Sequence, residues 1–154
     1  MIIKSRLMIN PIDNDAISIE VIIDAPIEKV WKAWTDPEWI LKWFGSDPKG
    51  LGIKAKMDVH NGGKYEITFM DSDDTEHTCM GVYVEVKELR SLSFTWEWKN
   101  EPGVESFVSV VLKSGTNNTL MEFQHSKLGT ASRHDYLKGW NATFLKLNRI
   151  NFYP

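Results

Sequence analysis

The chain has 154 residues, 42% of them apolar and seven of them tryptophan, which is the size of one ordinary domain with enough large side chains for a substantial core. Its net charge of -3 is spread along the chain with no block of Lys and Arg to track a phosphate backbone, which excludes nucleic acid as the natural partner. The lone cysteine, Cys79, rules out an intramolecular disulfide, and the apolar runs fall far short of the roughly 20 residues a membrane-spanning helix needs.

In chain order, residues 1–16 show no assignable pattern and read as an N-terminal extension. No signal peptide is expected there, and a cytoplasmic location follows as an expectation. Ile17, Ile19, Val21 and Ile23 then alternate with Ser18, Glu20, Ile22 and Asp24, a period of two that predicts a strand with one apolar face. Pro26 and Glu28 suit a helix start, and Ile27, Val30, Trp31 and Trp34 recur at helical spacing over 26–35. Asp36-Pro37-Glu38 restarts the pattern with an N-cap and a proline at the first position. Trp39, Ile40, Trp43 and Phe44 supply the next stripe before Gly45.

From Leu51 to about His125 the period returns to two, with turns at Asn61-Gly62-Gly63, 71–75, 100–103 and 114–118. The spacing predicts six strands. Their inward faces read as Ile53/Ala55/Met57/Val59, Tyr65/Ile67/Phe69, Met80/Val82/Val84/Val86, Leu92/Phe94/Trp96/Trp98, Val108/Val110/Leu112 and Met121/Phe123/His125. The last strand is also readable through Leu120, which would turn His125 outward. Ser132 with Asp135 resembles a capping box for a long final helix whose inner face carries Tyr136, Trp140, Thr143, Phe144, Leu147 and Ile150. Gly139 in mid-helix costs about 1 kcal/mol relative to alanine, so close approach by the sheet or by a bound molecule is expected there. The order strand, two helices, six strands, helix gives an α+β fold, with an antiparallel sheet covered on one face by the helices. Residues 17–150 form the domain and 151–154 a tail.

Val30-Trp31-Lys32-Ala33-Trp34-Thr35-Asp36-Pro37-Glu38, Trp43-Phe44-Gly45, Gly62-Gly63, Gly81, Thr95-Trp96-Glu97-Trp98, the strand Thr119 to His125 and Gly139-Trp140, in this order, resemble the bacterial SRPBCC proteins. The branch they look like is the one homologous to the activator of the heat-shock protein 90 ATPase, in the START-like superfamily. Trp39 stands where that branch usually has an aliphatic residue, and Ser46 where a proline is frequent. The resemblance implies a helix-grip fold, a curved sheet wrapped around the C-terminal helix. Such scaffolds host lipid carriers, cyclases, hormone receptors and chaperone co-factors, so the fold alone leaves the function open.

The expected function is binding of a small hydrophobic molecule, lipid-like or aromatic, between sheet and helix. The expected lining is Trp43, Phe44, Met57, Tyr65, Ile67, Phe69, Val82, Trp96, Phe123, His125, Trp140 and Phe144, with Tyr65 and His125 as polar fixtures. A cyclase-like or hydrolase-like enzyme using His125 as acid or base, with Glu66 or Glu122, is the first alternative. A module acting on a chaperone is the second. No cofactor is expected, because no glycine-rich phosphate loop or nucleophile elbow occurs. Asp71, Asp73, Asp74 and Glu76 lack the glycine and distal glutamate of a calcium loop, and the four histidines lie too far apart for zinc spacing, so no metal is expected. Cys79 sits in a strand pattern and reads as a small buried thiol.

Overall fold

The computed structural model describes residues 15–129, 132 and 134–154 in full and residues 2–7 and 133 through their backbone. The elements are β1 (Ile2–Leu7), β2 (Ile17–Ile23), α1 (Ile27–Thr35), α2 (Pro37–Ile40), β3 (Leu51–Met57), β4 (Lys64–Met70), β5 (Glu76–Lys87), β6 (Ser91–Trp98), β7 (Ser106–Ser114), β8 (Thr119–Ser126) and α3 (Arg133–Arg149). The eight strands form one antiparallel sheet in the order β1-β2-β8-β7-β6-β5-β4-β3. The stretch before residue 17, which the sequence leaves unassigned, thus contributes β1, paired along β2 from Ile2↔Ile22 to Leu7↔Ile17. The two short helices carry the chain from β2 to the opposite edge strand, β3.

Local chemistry explains the helical segment. Pro26 precedes α1 with extended backbone and accepts from Lys29 and Val30 through its carbonyl. Asp36 serves both neighbours: its N–H donates to the Lys32 carbonyl at the end of α1, and its carboxylate accepts from Glu38 N–H at 2.9 Å to start α2. Gly45 then takes a φ of +114°, and a Cβ there would lie 2.8 Å from the Phe69 ring, so the turn into β3 requires glycine.

The sheet buries one face by alternation. Ile17, Ile19, Val21 and Ile23 of β2, Met121, Phe123 and His125 of β8, Val108, Val110 and Leu112 of β7 and Leu92, Phe94 and Trp96 of β6 are all buried. Val30, Ala33 and Trp34 of α1 and Trp140, Phe144 and Leu147 of α3 cover that face. The choice of the Met121/Phe123/His125 parity over Leu120 is therefore correct.

Three expectations are corrected. In β3, the register shifts between Gly52 and Lys54, and the extra residue, Ile53, is 44% exposed instead of inward. In β5, Cys79 and Tyr83 are buried, while Val82 and Val84 face out. A second bulge between Tyr83 and Glu85 then reverses the parity so that Val86 packs inward. The valines misled because the inward position between Cys79 and Tyr83 is Gly81, where a Cβ would come within 2.0 Å of the Thr95 carbonyl of β6. Finally, Ser132 makes no side-chain cap on α3, so the capping box is not formed.

Candidate ligand-binding site

The centre of the space between sheet and helices is solid. Trp34 and Trp43 meet edge to face at 4.8 Å between ring centroids, Phe123 lies 4.9 Å from Phe144 and 4.6 Å from Trp140, and Trp34 stacks near Phe123. Their polar edges are satisfied internally: Trp43 Nε1 donates to the Ala33 carbonyl at 3.0 Å, and Trp34 Nε1 reaches Met121 Sδ at 3.2 Å. Beneath Phe44, between Trp34, Tyr65, Ile67, Tyr83 and Phe94, the remaining void is about 10 Å³, room for no more than a water.

The roomy space lies at one end of the helix-sheet interface, as an open cavity of about 370 Å³. One wall is the first half of α3, through Ser132, Asp135, Tyr136, Gly139, Trp140 and Thr143, which share a face at i, i+3, i+4 and i+7 spacing. The sheet contributes Trp96 and Trp98 from β6, Ser106 from β7, Phe69 from β4 and His77 from β5. The loop after α2 adds Phe44, Gly45 and Ser46, and the loop before β7 adds Glu101, Val104 and Glu105. Lys127 and Leu128, just after β8, complete the rim.

Four of the residues expected to line a pocket are brought together here: Phe44, Phe69, Trp96 and Trp140. Trp43, Phe123 and Phe144 are packed behind the wall, and Tyr65 and Ile67 face the small void. Met57 is half-buried on the edge strand, and Val82 points away from the interior. His77, Trp98 and Tyr136 line it without being in the expected set, and Gly139, where close approach by a bound molecule is an expectation, lines it too. Trp98 and Tyr136 already lay on the expected inward faces, so the helical i, i+3, i+4 pattern running from Ser132 was the signal that could have found this wall. Gly139 needs no glycine for the sheet's sake: a Cβ there meets only Ser46 at 3.8 Å, an ordinary contact.

His125 does not reach the cavity. It is fully buried, with Trp140 Nε1 donating to its Nδ1 at 3.0 Å and Ser106 Oγ 2.7 Å from its Nε2. An indole N–H only donates, so Nδ1 is the acceptor, the ring proton sits on Nε2, and Ser106 receives it. Burial pushes the imidazole pKa down to about 3, so the ring is neutral at physiological pH. A neutral ring with both nitrogens engaged, out of reach of solvent, is a structural hub joining α3, β8 and β7. Glu66 and Glu122 pair with Lys99 and Lys113 on the outer side of the sheet, at 3.1 and 2.7 Å.

The other titratable candidates are held in local structure. Asp71 Oδ2 accepts from His77 Nε2 at 2.8 Å, and Asp73 caps the Thr75 N–H. Cys79 is fully buried, and burial pushes its thiol pKa well above the ordinary range. Trp39, unusual for the branch the sequence resembles, stacks on Phe152 at 6.3 Å with Lys32 and Lys42 over its ring, while Ser46 lies on the cavity rim. Among the described residues, no helix is long and apolar enough to cross a membrane.

The same architecture occurs in solved bacterial proteins. A protein from Nitrosomonas europaea superposes with a TM-score of 0.76 at 18% identity, over 91% of this chain and 94% of its own. An AHSA1-like protein from Aeromonas hydrophila gives 0.75 at 23% identity, over 87% and 90%. The CalU16 protein from Micromonospora echinospora gives 0.65 at 25% identity, over 95% and 81%. No curated protein matches the chain. Residues 24–150 match the family described as Activator of Hsp90 ATPase homolog 1-like protein, and with the helix-grip architecture in place, the chain belongs to that family.

Proposed function

We propose that the protein binds a small, largely hydrophobic molecule, lipid-like or aromatic, in the cavity between the sheet and the first half of α3. The observation that carries this reading is the cavity itself: about 370 Å³, open to solvent, and walled by Phe44, Phe69, Trp96, Trp98 and Trp140. That volume is in the range of small-molecule sites, roughly 300–1,000 Å³. Desolvation would drive binding at about 25 cal/mol per Å² of apolar surface removed from water. The enzyme alternative loses its main support, because His125 is neutral, fully engaged and shielded from the cavity.

The test is to release bound material from the purified chain by gentle denaturation and identify it by mass spectrometry, alongside a thermal-shift screen of a lipophilic library. Stabilisation by library members that is lost when the cavity is filled by Gly139→Phe is the expected outcome. No released molecule and no stabilisation by any member would count decisively against binding.

A further inference from the structure

One wall of this cavity carries hydrogen-bond donors that the protein leaves unused. Trp98 Nε1 donates to the Tyr136 hydroxyl oxygen at 2.8 Å. The indole cannot accept, so the phenol oxygen is the acceptor in that pair, and the phenol's own proton must point elsewhere. It finds no acceptor among the described residues. Trp96 Nε1, on the adjacent lining residue, is buried and likewise without a partner among the described residues. Burial raises the Tyr136 pKa, and the N–H of Trp98, in a formed hydrogen bond, and that of Trp96, near the same oxygen but outside hydrogen-bond geometry, oppose that rise. A buried donor without a partner is rare in folded proteins, and Trp96 Nε1 beside the half-buried Tyr136 hydroxyl at one apolar cavity points to an acceptor that arrives with a ligand.

The rim adds a charge condition. Glu101, Glu105 and Asp135 surround the mouth, with Lys127 as the lysine on it. The local field of three carboxylates against one ammonium is unfavourable to an anion.

We infer that the site selects a neutral apolar molecule bearing a carbonyl oxygen, such as an aryl ketone, quinone or lactone, whose oxygen accepts from the Tyr136 hydroxyl beside Trp96 Nε1. A hydrocarbon of the same shape leaves those donors unpaired, and a carboxylate meets the acidic rim. This inference rests on the ligand-binding reading above and narrows it.

Isothermal titration of the full chain with three matched probes tests it: acetylnaphthalene, isopropylnaphthalene and naphthoate. The ketone is expected to bind about tenfold tighter than the hydrocarbon, with naphthoate weaker than the ketone. In Tyr136→Phe the ketone-to-hydrocarbon ratio is expected to fall to within about twofold, since the hydroxyl that reads the oxygen is gone. Equal binding of ketone and hydrocarbon by the unaltered chain overturns the inference while leaving the apolar site standing. Tightest binding by naphthoate overturns its charge condition, and an undiminished ratio in Tyr136→Phe overturns the assigned donor. No binding by any of the three overturns both this inference and the reading on which it rests. The probe comparison on the unaltered chain decides the matter even if the variant does not fold.

Discussion

Gly139 of α3 and Ser46 of the loop after α2 face each other at the cavity, and a Cβ built on Gly139 would stop 3.8 Å from the Ser46 Cβ with nothing nearer. The glycine therefore leaves room for something other than the protein. Gly139→Ala is expected to stabilise the chain by about 0.5–1 kcal/mol, because helix propensity improves without a clash. Gly139→Phe is expected to fill the space. Thermal unfolding checks the first variant, and loss of ligand-induced stabilisation in a folded protein checks the second.

The His125 hub gives stability a pH dependence of defined sign. The folded pKa of about 3 lies below the ordinary 6.5, so between those values the unfolded chain binds a proton that the native ring refuses. This contribution is fully present above pH 6.5 and is lost as the pH falls toward 3, at up to about 1.4 kcal/mol per pH unit. Urea denaturation from pH 7 to 4 is expected to show this slope in the native chain. His125→Gln, which can accept from Trp140 and donate to Ser106 without titrating, is expected to flatten it.

Trp140→Phe keeps most of the apolar contact with Phe123 and Phe144 but removes the N–H that satisfies His125 Nδ1. The acceptor left behind is buried, so a loss of about 1–3 kcal/mol is expected, beyond the smaller cost of the shorter ring. Equilibrium denaturation of this variant, of His125→Leu, which has no acceptor for the indole N–H, and of the double variant measures the coupling. Additive effects would show that the hydrogen bond carries no stability.

Cys79 is enclosed on the inner face of β5 and its thiol is held protonated by burial. An aromatic disulfide reagent is expected to leave the native chain unmodified over hours at pH 8 and to react at once in denaturant. Rapid native labelling would mean that the β5 face opens locally.

Lys146, half-buried on α3, donates through Nζ to the Gly45 carbonyl at 3.2 Å and the Asp47 carbonyl at 3.0 Å, tying the helix to the loop that forms the cavity edge. Lys146→Met keeps the aliphatic stem and removes both bonds. A stability loss of about 1 kcal/mol is expected, with faster amide exchange at Gly50, whose N–H donates to the Asp47 carbonyl within the same loop.

Much of this fold was legible in the chain. Strict alternation placed β2, β6, β7 and β8 and their inward faces, because a half-buried strand must present its apolar residues at a period of two. Asp36-Pro37 marked the break between the short helices, because capping is chemistry within a few residues. Tertiary structure decided what depends on contacts far apart in sequence. The pairing of β1 with β2 carries no strong local pattern, and the bulges at Ile53 and Val84 arise from how neighbouring strands fit, so each moved side chains to the face opposite to the one the alternation suggests. The aromatic set identified an apolar interior, but aromatic composition does not say where rings close against one another and where they leave space. Trp34, Trp43, Phe123 and Phe144 fill the centre, and the meeting of Tyr136 and Gly139 with Trp96 and Trp98 opens a cavity at its end. His125 was correctly turned inward by parity, yet its role depended on Trp140 and Ser106, residues 15 and 19 positions away, which engage both ring nitrogens while burial keeps the ring neutral.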